Sequence, residues 1–183
     1  MKKLEIGTHT RIDNSWETMD MVSGENVDII ADVRKPLTMI KDATYDLVYM
    51  SHLLEHVPWF QTVDVLKELY RILRNTGVVE IWVPDFDKLI SAYLNHDLIK
   101  NDGWYKHNPE HDPYLWINGR IFTYGPGDDN WHRAVFNEEH LSNCLKRAGF
   151  TVVSRLKKPR AYDHGWINMG MSGKKAILEV TIV

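Results

Sequence analysis

Cysteine is almost missing from this chain: Cys144 stands alone among 183 residues. With no partner for an intrachain disulfide, it fits a reducing, cytoplasmic setting. Cys144 lies inside a helical apolar pattern, so it reads as a buried core thiol rather than a nucleophile. Long hydrophobic runs are also missing. Nothing approaches the ~18 apolar residues of a membrane span, and no apolar stretch follows Lys2 and Lys3 as in a secretory signal, so no membrane role is expected. Positive charge is not in excess either. Lys and Arg number 22 against 25 Asp and Glu, a net charge of -3, which gives no basic footprint for nucleic acid. Repeats and low-complexity tracts are absent.

What is present is ordinary for a globular protein: 44% hydrophobic and 26% charged residues. The length fits a single domain over residues 1–183. Leu4–Ile6, Trp16–Val22, Val27–Val33 and Tyr45–Met50 are short apolar runs ended by Gly, Pro or polar residues, and each reads as a strand. From Pro58, the residues Val63, Leu66, Leu69, Tyr70 and Leu73 recur at helical steps. An amphipathic helix is predicted there, stopped near Asn75 and Gly77. Val78–Val83 follows as a nearly continuous apolar strand, the pattern of a strand covered on both faces. Phe86–Leu94 reads as helical. Glu138–Ala148 is a helix with Asn137 as N-cap and Gly149 past its end. Thr151–Leu156 and Ala176–Val183 are the predicted closing strands. This alternation specifies a three-layer α/β fold with a largely parallel sheet.

Residues 96–131 differ in texture. Trp104, Tyr105, Tyr114, Trp116, Phe122, Tyr124 and Trp131 are scattered among Gly, Pro, Asn and His with weak periodicity. The segment reads as a long aromatic insertion, serving as a lid or binding loop or as a satellite cluster that pins the loop down.

Open parallel sheets bind ligands at the carboxyl ends of their strands. Those ends carry Gly7, Thr8 and His9, then Asp20, Asp32, Ser51 with His52, and Pro84 with Asp85. A carboxylate at the end of the second strand can accept both hydroxyls of an adenosine ribose, which makes Asp20 a candidate, with a turn aspartate as the alternative. Asp32 can accept from an adenine amino group or can cap the turn before Pro36.

The run YDLVYMSHLLEHVPWFQTVDVLKELYRILRNTGVVEIWVPDFDKL resembles the strand–helix–strand centre of class I S-adenosylmethionine-dependent methyltransferases. Asp46 opens the fourth strand, and Ser51–His56 forms a Ser-His-x-Leu-Glu-His segment. Glu68 and Arg71 follow as Glu-x-x-Arg, and Val83–Asp85 ends a strand. Asn130–Phe150 is similar to the later signature of small bacterial and phage members of that family. The resemblance implies a Rossmann-like sheet of seven strands with an antiparallel closing strand, and S-adenosylmethionine as cofactor. It implies that Gly7, Thr8 and His9 face the methionine portion, Asp20 the ribose, and Asp32 with Val33 the adenine. Ser51, His52 and Leu53 would close the pocket near the sulfonium. The family's first loop runs Gly-x-Gly, whereas this one reads Gly7-Thr8-His9-Thr10. That departure keeps open a catalytically inactive binding or assembly module of the same fold.

Two further readings concern histidine. His52-x-x-Glu55-His56 fits a zinc hydrolase pattern, which needs both histidines on one helical face. A β-like strand before His52 and Pro58 after His56 favour a strand-to-helix loop, so no metal ligands are assigned. Methyl transfer to a hydroxyl can use a neutral imidazole as base, and His132, His52 and His56 are the candidate catalytic residues. The insertion's aromatics suit a planar or sugar acceptor, so methylation of an oxygen on a small molecule or glycan is the expected reaction.

Overall fold

In the computed structural model, residues 1–8, 10–96, 108, 110–123, 130–161 and 165–176 are described. Seven strands are present: β1 (Lys3–Ile6), β2 (Trp16–Asp20), β3 (Ile29–Ile30), β4 (Tyr45–Ser51), β5 (Leu73–Pro84), β6 (Val152–Leu156) and β7 (Asn168–Lys174). They form one sheet in the order β3-β2-β1-β4-β5-β7-β6. β1 pairs in parallel with β2 and β4, β2 with β3, and β4 with β5; β7 runs antiparallel to both of its neighbours. The α/β class and the antiparallel closing strand are therefore as expected.

The helices are α1 (Thr62–Ile72), α2 (Phe86–Leu94), α3 (Pro113–Phe122) and α4 (Glu138–Ala148). α1 buries Val65, Leu66, Leu69 and Ile72, and α4 buries Leu141, Cys144, Leu145 and Ala148; both stripes join one core with the strand residues Leu4, Val48, Val79 and Ile81. Cys144 is thus a core thiol, and burial pushes its pKa up. The other face of the sheet carries a second cluster of Trp16, Leu47, Tyr49 and Trp82, packed with Ile12, Val78 and Leu156.

α4 has the predicted ends: the Asn137 side chain accepts from the His140 N–H at 2.9 Å, and Gly149 takes φ +110°. α1 begins four residues later than Pro58. Pro58 itself is extended, and a 3₁₀ turn over Trp59–Gln61 intervenes. Leu73 belongs to β5 rather than the helix, because it pairs with Tyr45 across a bulge. The predicted stop at Asn75–Gly77 is an excursion inside that strand, with Thr76 at φ +65°.

Three strand boundaries also move. β2 stops at Asp20, whose carboxylate accepts the Val22 N–H and turns the chain. β3 shrinks to two residues because Asp28 folds back to accept from the Thr18 N–H at 2.9 Å. The last described strand is Asn168–Lys174; of the predicted Ala176–Val183, Ala176 lies outside any strand and residues 177–183 lie outside the described ones. Its glycines hid it. A Cβ on Gly170 would sit 2.4 Å from the Trp82 ring, and one on Gly173 would sit 2.8 Å from Phe150, so the strand is glycine-bearing to admit aromatics. Within the segment read as a long aromatic insertion, α3 forms behind Asp112, which accepts the Tyr114 N–H at 2.8 Å, with Pro113 in the first turn. Trp104, Tyr105 and Tyr124 lie outside the described residues.

No helix separates β1 from β2 or β2 from β3 among the described residues; residues 7–15 and 21–28 make those connections alone. Parallel strands usually need crossovers of a dozen or more residues. Here the connection from β3 to β4 is tied down instead by the Glu68–Arg71 pair on α1. Glu68 accepts the Leu37 N–H at 2.7 Å, while Arg71 donates to the carbonyls of Leu37 at 3.0 Å and Ile40 at 2.9 Å.

Hydrogen bonding from Arg71, against the cost of burial, holds the Glu68 carboxyl below its ordinary value of 4.5. Its stabilisation is therefore complete above that value and is lost as pH falls through the lower folded value. Glu68→Gln is expected to cost about 1–3 kcal/mol at neutral pH and to flatten the acid limb of a urea-denaturation series between about pH 5 and 3. Gly170→Ala is expected to lower stability by about 1–3 kcal/mol through its clash with Trp82, with Trp82→Phe partly restoring it in the double variant. Denaturation midpoints check both.

Candidate active site

The strand order reverses between β1 and β4, and an open sheet has its crevice at such a point. Ile6 pairs with Met50, which sets Gly7 beside Ser51 at the carboxyl edge. The Gly7 N–H donates to Met19 O at 2.8 Å, so the end of β2 and Asp20 join the same edge. Gly7 adopts φ +83°, and a Cβ there would lie 2.8 Å from Leu53 Cδ2. Only glycine fits. Thr8 closes a small turn by accepting the Thr10 N–H at 3.0 Å. His9 lies outside the described residues.

The remaining predicted residues are distributed unevenly. One oxygen of Asp20 accepts the Val22 N–H at 2.8 Å. Asp32 accepts from Arg34 Nε at 2.8 Å, Arg34 Nη2 at 3.0 Å and the Arg34 N–H at 3.0 Å, so it closes the turn before Pro36. Val33 packs into the main core. Asp85 is buried, caps α2 and pairs with Arg155 at 3.2 Å.

The three candidate histidines do come together, around the Glu55 of the His52-x-x-Glu55-His56 pattern. Glu55 sits in a 3₁₀ turn over Leu54–His56 and is 1% exposed. Its carbonyl accepts from the N–H groups of Arg133 at 2.7 Å and Ala134 at 3.1 Å, which brings the 130–136 segment against the end of β4. His52 Nδ1 approaches Glu55 Oε1 at 3.0 Å, and His52 holds φ +52°, a strained value for a non-glycine residue. The His56 and His132 rings meet edge to face with centroids 4.9 Å apart. The turn is a single 3₁₀ turn, so the two-histidine helical face that a zinc hydrolase pattern requires is not formed.

Burial would raise the Glu55 pKa, but its contact with His52, the charges of His52 and His56 and its own backbone N–H outweigh that and hold it below the ordinary range. The carboxylate stays ionised. Burial lowers the His132 pKa, opposed by the charge of Glu55 and by the neighbouring Arg120 backbone. A neutral imidazole keeps one ring lone pair available.

His132 also lines an open, mostly apolar cavity of about 640 Å³ with Trp59, Phe122, Arg133, Val135 and His140. That volume suits a small-molecule ligand. Trp59, Phe122 and Val135 are exposed apolar side chains at this mouth. The signal that could have found α3's part in it was Asp112-Pro113, an N-cap followed by a first-turn proline.

Residues 3–155 match a family model described as a methyltransferase domain. No curated protein matches the chain in sequence. In fold it is similar to a S-adenosylmethionine-dependent methyltransferase of Thermotoga maritima, described as a possible histamine N-methyltransferase. The identity is 19%, over 95% of this chain and 82% of that one, with a TM-score of 0.56. It is similar too to the 1,6-didemethyltoxoflavin-N1-methyltransferase of Burkholderia thailandensis, solved with 1,6-didemethyltoxoflavin and S-adenosylhomocysteine, at 14% identity over 95% and 71% of the two chains and a TM-score of 0.55. A third, the CurJ carbon methyltransferase, is 12% identical with a TM-score of 0.55; the match covers 96% of this chain but 48% of that one. At these identities the likeness is one of fold, and this chain spans about half the length of that relative.

Proposed function

The chain belongs to the methyltransferase-domain family of S-adenosylmethionine-dependent enzymes, and from that premise we propose that it methylates an oxygen of a small-molecule or glycan acceptor seated against His132. The carrying observation is that His132 belongs at once to the apolar cavity and to the buried Glu55 cluster. S-adenosylmethionine, when bound, supplies a methyl group already activated by the sulfonium. Gly7 and the turn at Thr8 would lie against its methionine portion, where the missing side chain leaves room for close approach. His9, outside the described residues, would belong to the same loop. Asp20 would accept the ribose hydroxyls, and Asp32 with Val33 would border the adenine. Ser51, His52 and Leu53 would close the site at the end of β4. Gly7, Asp20 and Ser51 lie along the carboxyl edge of the sheet, which supports this reading of one cofactor site.

An oxygen acceptor must lose its hydroxyl proton as the new O–CH₃ bond forms and the S–CH₃ bond breaks, leaving S-adenosylhomocysteine. The cluster around Glu55 supplies that function, with His132 the member reaching the cavity and His52 and His56 behind it. Aromatic walls at Trp59 and Phe122 would hold a planar or sugar ring, and the net charge of -3 gives no support to a nucleic-acid acceptor. A cytoplasmic setting accompanies this reading, supported by the single cysteine. The second reading, an inactive binding module, is favoured by the Gly7-Thr8-His9 sequence and by the lack of a helix between β1 and β2 among the described residues.

Calorimetric titration with S-adenosylhomocysteine separates the two. Saturable binding is expected, weakened at least tenfold by Asp20→Ala; no heat at millimolar ligand sinks the enzyme reading in favour of the module. Transfer of labelled methyl to a panel of hydroxylated aromatics and sugars then tests the acceptor. His132→Ala is expected to lose about 10²-fold or more in turnover with the S-adenosylhomocysteine affinity unchanged. Turnover equal to wild type would dismiss His132 from the chemistry.

A further inference from the structure

We propose that Glu55, His56 and His132 form a binding site for one divalent transition-metal ion of the zinc type. One donor atom from each of these three residues lies within 4.8 Å of the others, the single grouping of this kind among the described residues. Closing to metal–ligand distances of about 2.0–2.2 Å needs only side-chain rotation of a fraction of an ångström to about one ångström. Two imidazoles and a carboxylate suit zinc and its neighbours rather than magnesium or calcium, which prefer all-oxygen shells.

An independent observation points the same way. The Glu55 side chain is buried, yet neither carboxylate oxygen has an aligned hydrogen-bond donor, and His56 Nδ1 is buried without a partner as well. A cation bound there would add to the compensation that His52, at 3.0 Å, already gives this buried carboxylate. The surrounding contacts are those a metal site needs. His52 Nδ1 stands 3.0 Å from Glu55 Oε1 and would orient the carboxylate. The carbonyl of Glu55, holding Arg133 and Ala134, keeps the two ligand-bearing segments in register.

The ligand set differs from the sequence pattern. His132, about eighty positions away, replaces His52, which moves behind the carboxylate. Three protein donors would leave one position for water or an oxygen of the ligand, and His132, which lines the cavity, would connect the ion to it. The inference rests on the proposed acceptor site and assigns it a chemical class: an oxygen donor, whose hydroxyl a bound cation would acidify. With the ion bound, His132 would hold it rather than take the proton itself, and the acidified hydroxyl would release its proton to solvent.

The full chain, stripped with a chelator, is titrated with zinc chloride, and separately with cobalt chloride followed by visible absorption. One equivalent of zinc and the absorption bands of four-coordinate cobalt are expected. Glu55→Gln and His132→Ala should each weaken zinc by at least 100-fold, and His52→Ala by about 10–100-fold, with exposed His96→Ala unchanged. Circular dichroism verifies folding, and the isosteric Glu55→Gln carries the test if His132→Ala unfolds. Binding weaker than millimolar, or one equivalent bound equally by Glu55→Gln, overturns the site. S-adenosylhomocysteine titrated into the stripped chain is measured alongside. Its failure to bind counts against the methyltransferase reading, whereas failure of zinc with that ligand bound counts against the metal site alone.

Discussion

The backbone carbonyl of Glu55 ties together parts of the chain that are far apart in sequence. It accepts from Arg133 and Ala134, and it thereby seats the 130–136 segment on the turn that leaves β4. Phe136, at the end of that segment, bridges to Asp85 after β5 and is itself buried in the main core. α4 starts at once afterwards. Two hydrogen bonds to one carbonyl thus help fix His132, one wall of the cavity and the start of α4, together with the bonds from Trp59 N–H to Arg133 O and from Phe86 N–H to Phe136 O. The side chain of the same residue is the most demanding polar group nearby, because it is ionised and buried. Such a carboxylate holds its neighbours to a narrow set of arrangements, since moving any cationic or donor group away from it is costly.

Much of the fold was legible because it rests on periodicity. β4 is apolar on both faces, α1 has its buried stripe at helical spacing, and α4 announces both of its ends through Asn137 and Gly149. What was illegible depended on tertiary contacts. β7 contains Gly170 and Gly173 in a run that resembles a turn, and only the rings of Trp82 and Phe150 explain them. β3 was overestimated because the Asp28 carboxylate bonds Thr18 and ends the pairing, an interaction that apolar patterning cannot reveal. For the site, the strand-end rule found Gly7, Asp20, Ser51 and His52 as neighbours on one edge. It could not bring His132 to Glu55, since that meeting crosses some eighty residues and is made by backbone hydrogen bonds.

The first loop shows how a fold can lose a helix and keep its sheet order. In a doubly wound unit, a glycine turn usually hands the chain to a helix whose N-terminus faces an anionic ligand. Here the chain runs from Gly7 straight to β2, and the Thr10 amide is already engaged by the Thr8 hydroxyl. No helix terminus after β1 can contribute to binding among the described residues. In the proposed function, recognition at this edge would rest on the positive-φ backbone at Gly7 and on side chains at the other strand ends, with Asp20 the proposed reader of a diol.

That shift of duty makes sense of where the protein concentrates its polar groups. The β1–β2 side of the crevice is short and lightly built, while the β4 side carries Glu55, three histidines and a strained residue at His52. Strain at the end of a strand persists only where surrounding contacts fix it, and here they do: the His52 N–H donates to Trp82 O at 2.9 Å while its ring is held by Glu55. Relaxing that backbone would swing the imidazole away from the carboxylate and leave a buried charge with fewer donors. The conformation at His52 and the charge at Glu55 therefore stabilise each other, and both support the wall on which a methyl acceptor would be oriented.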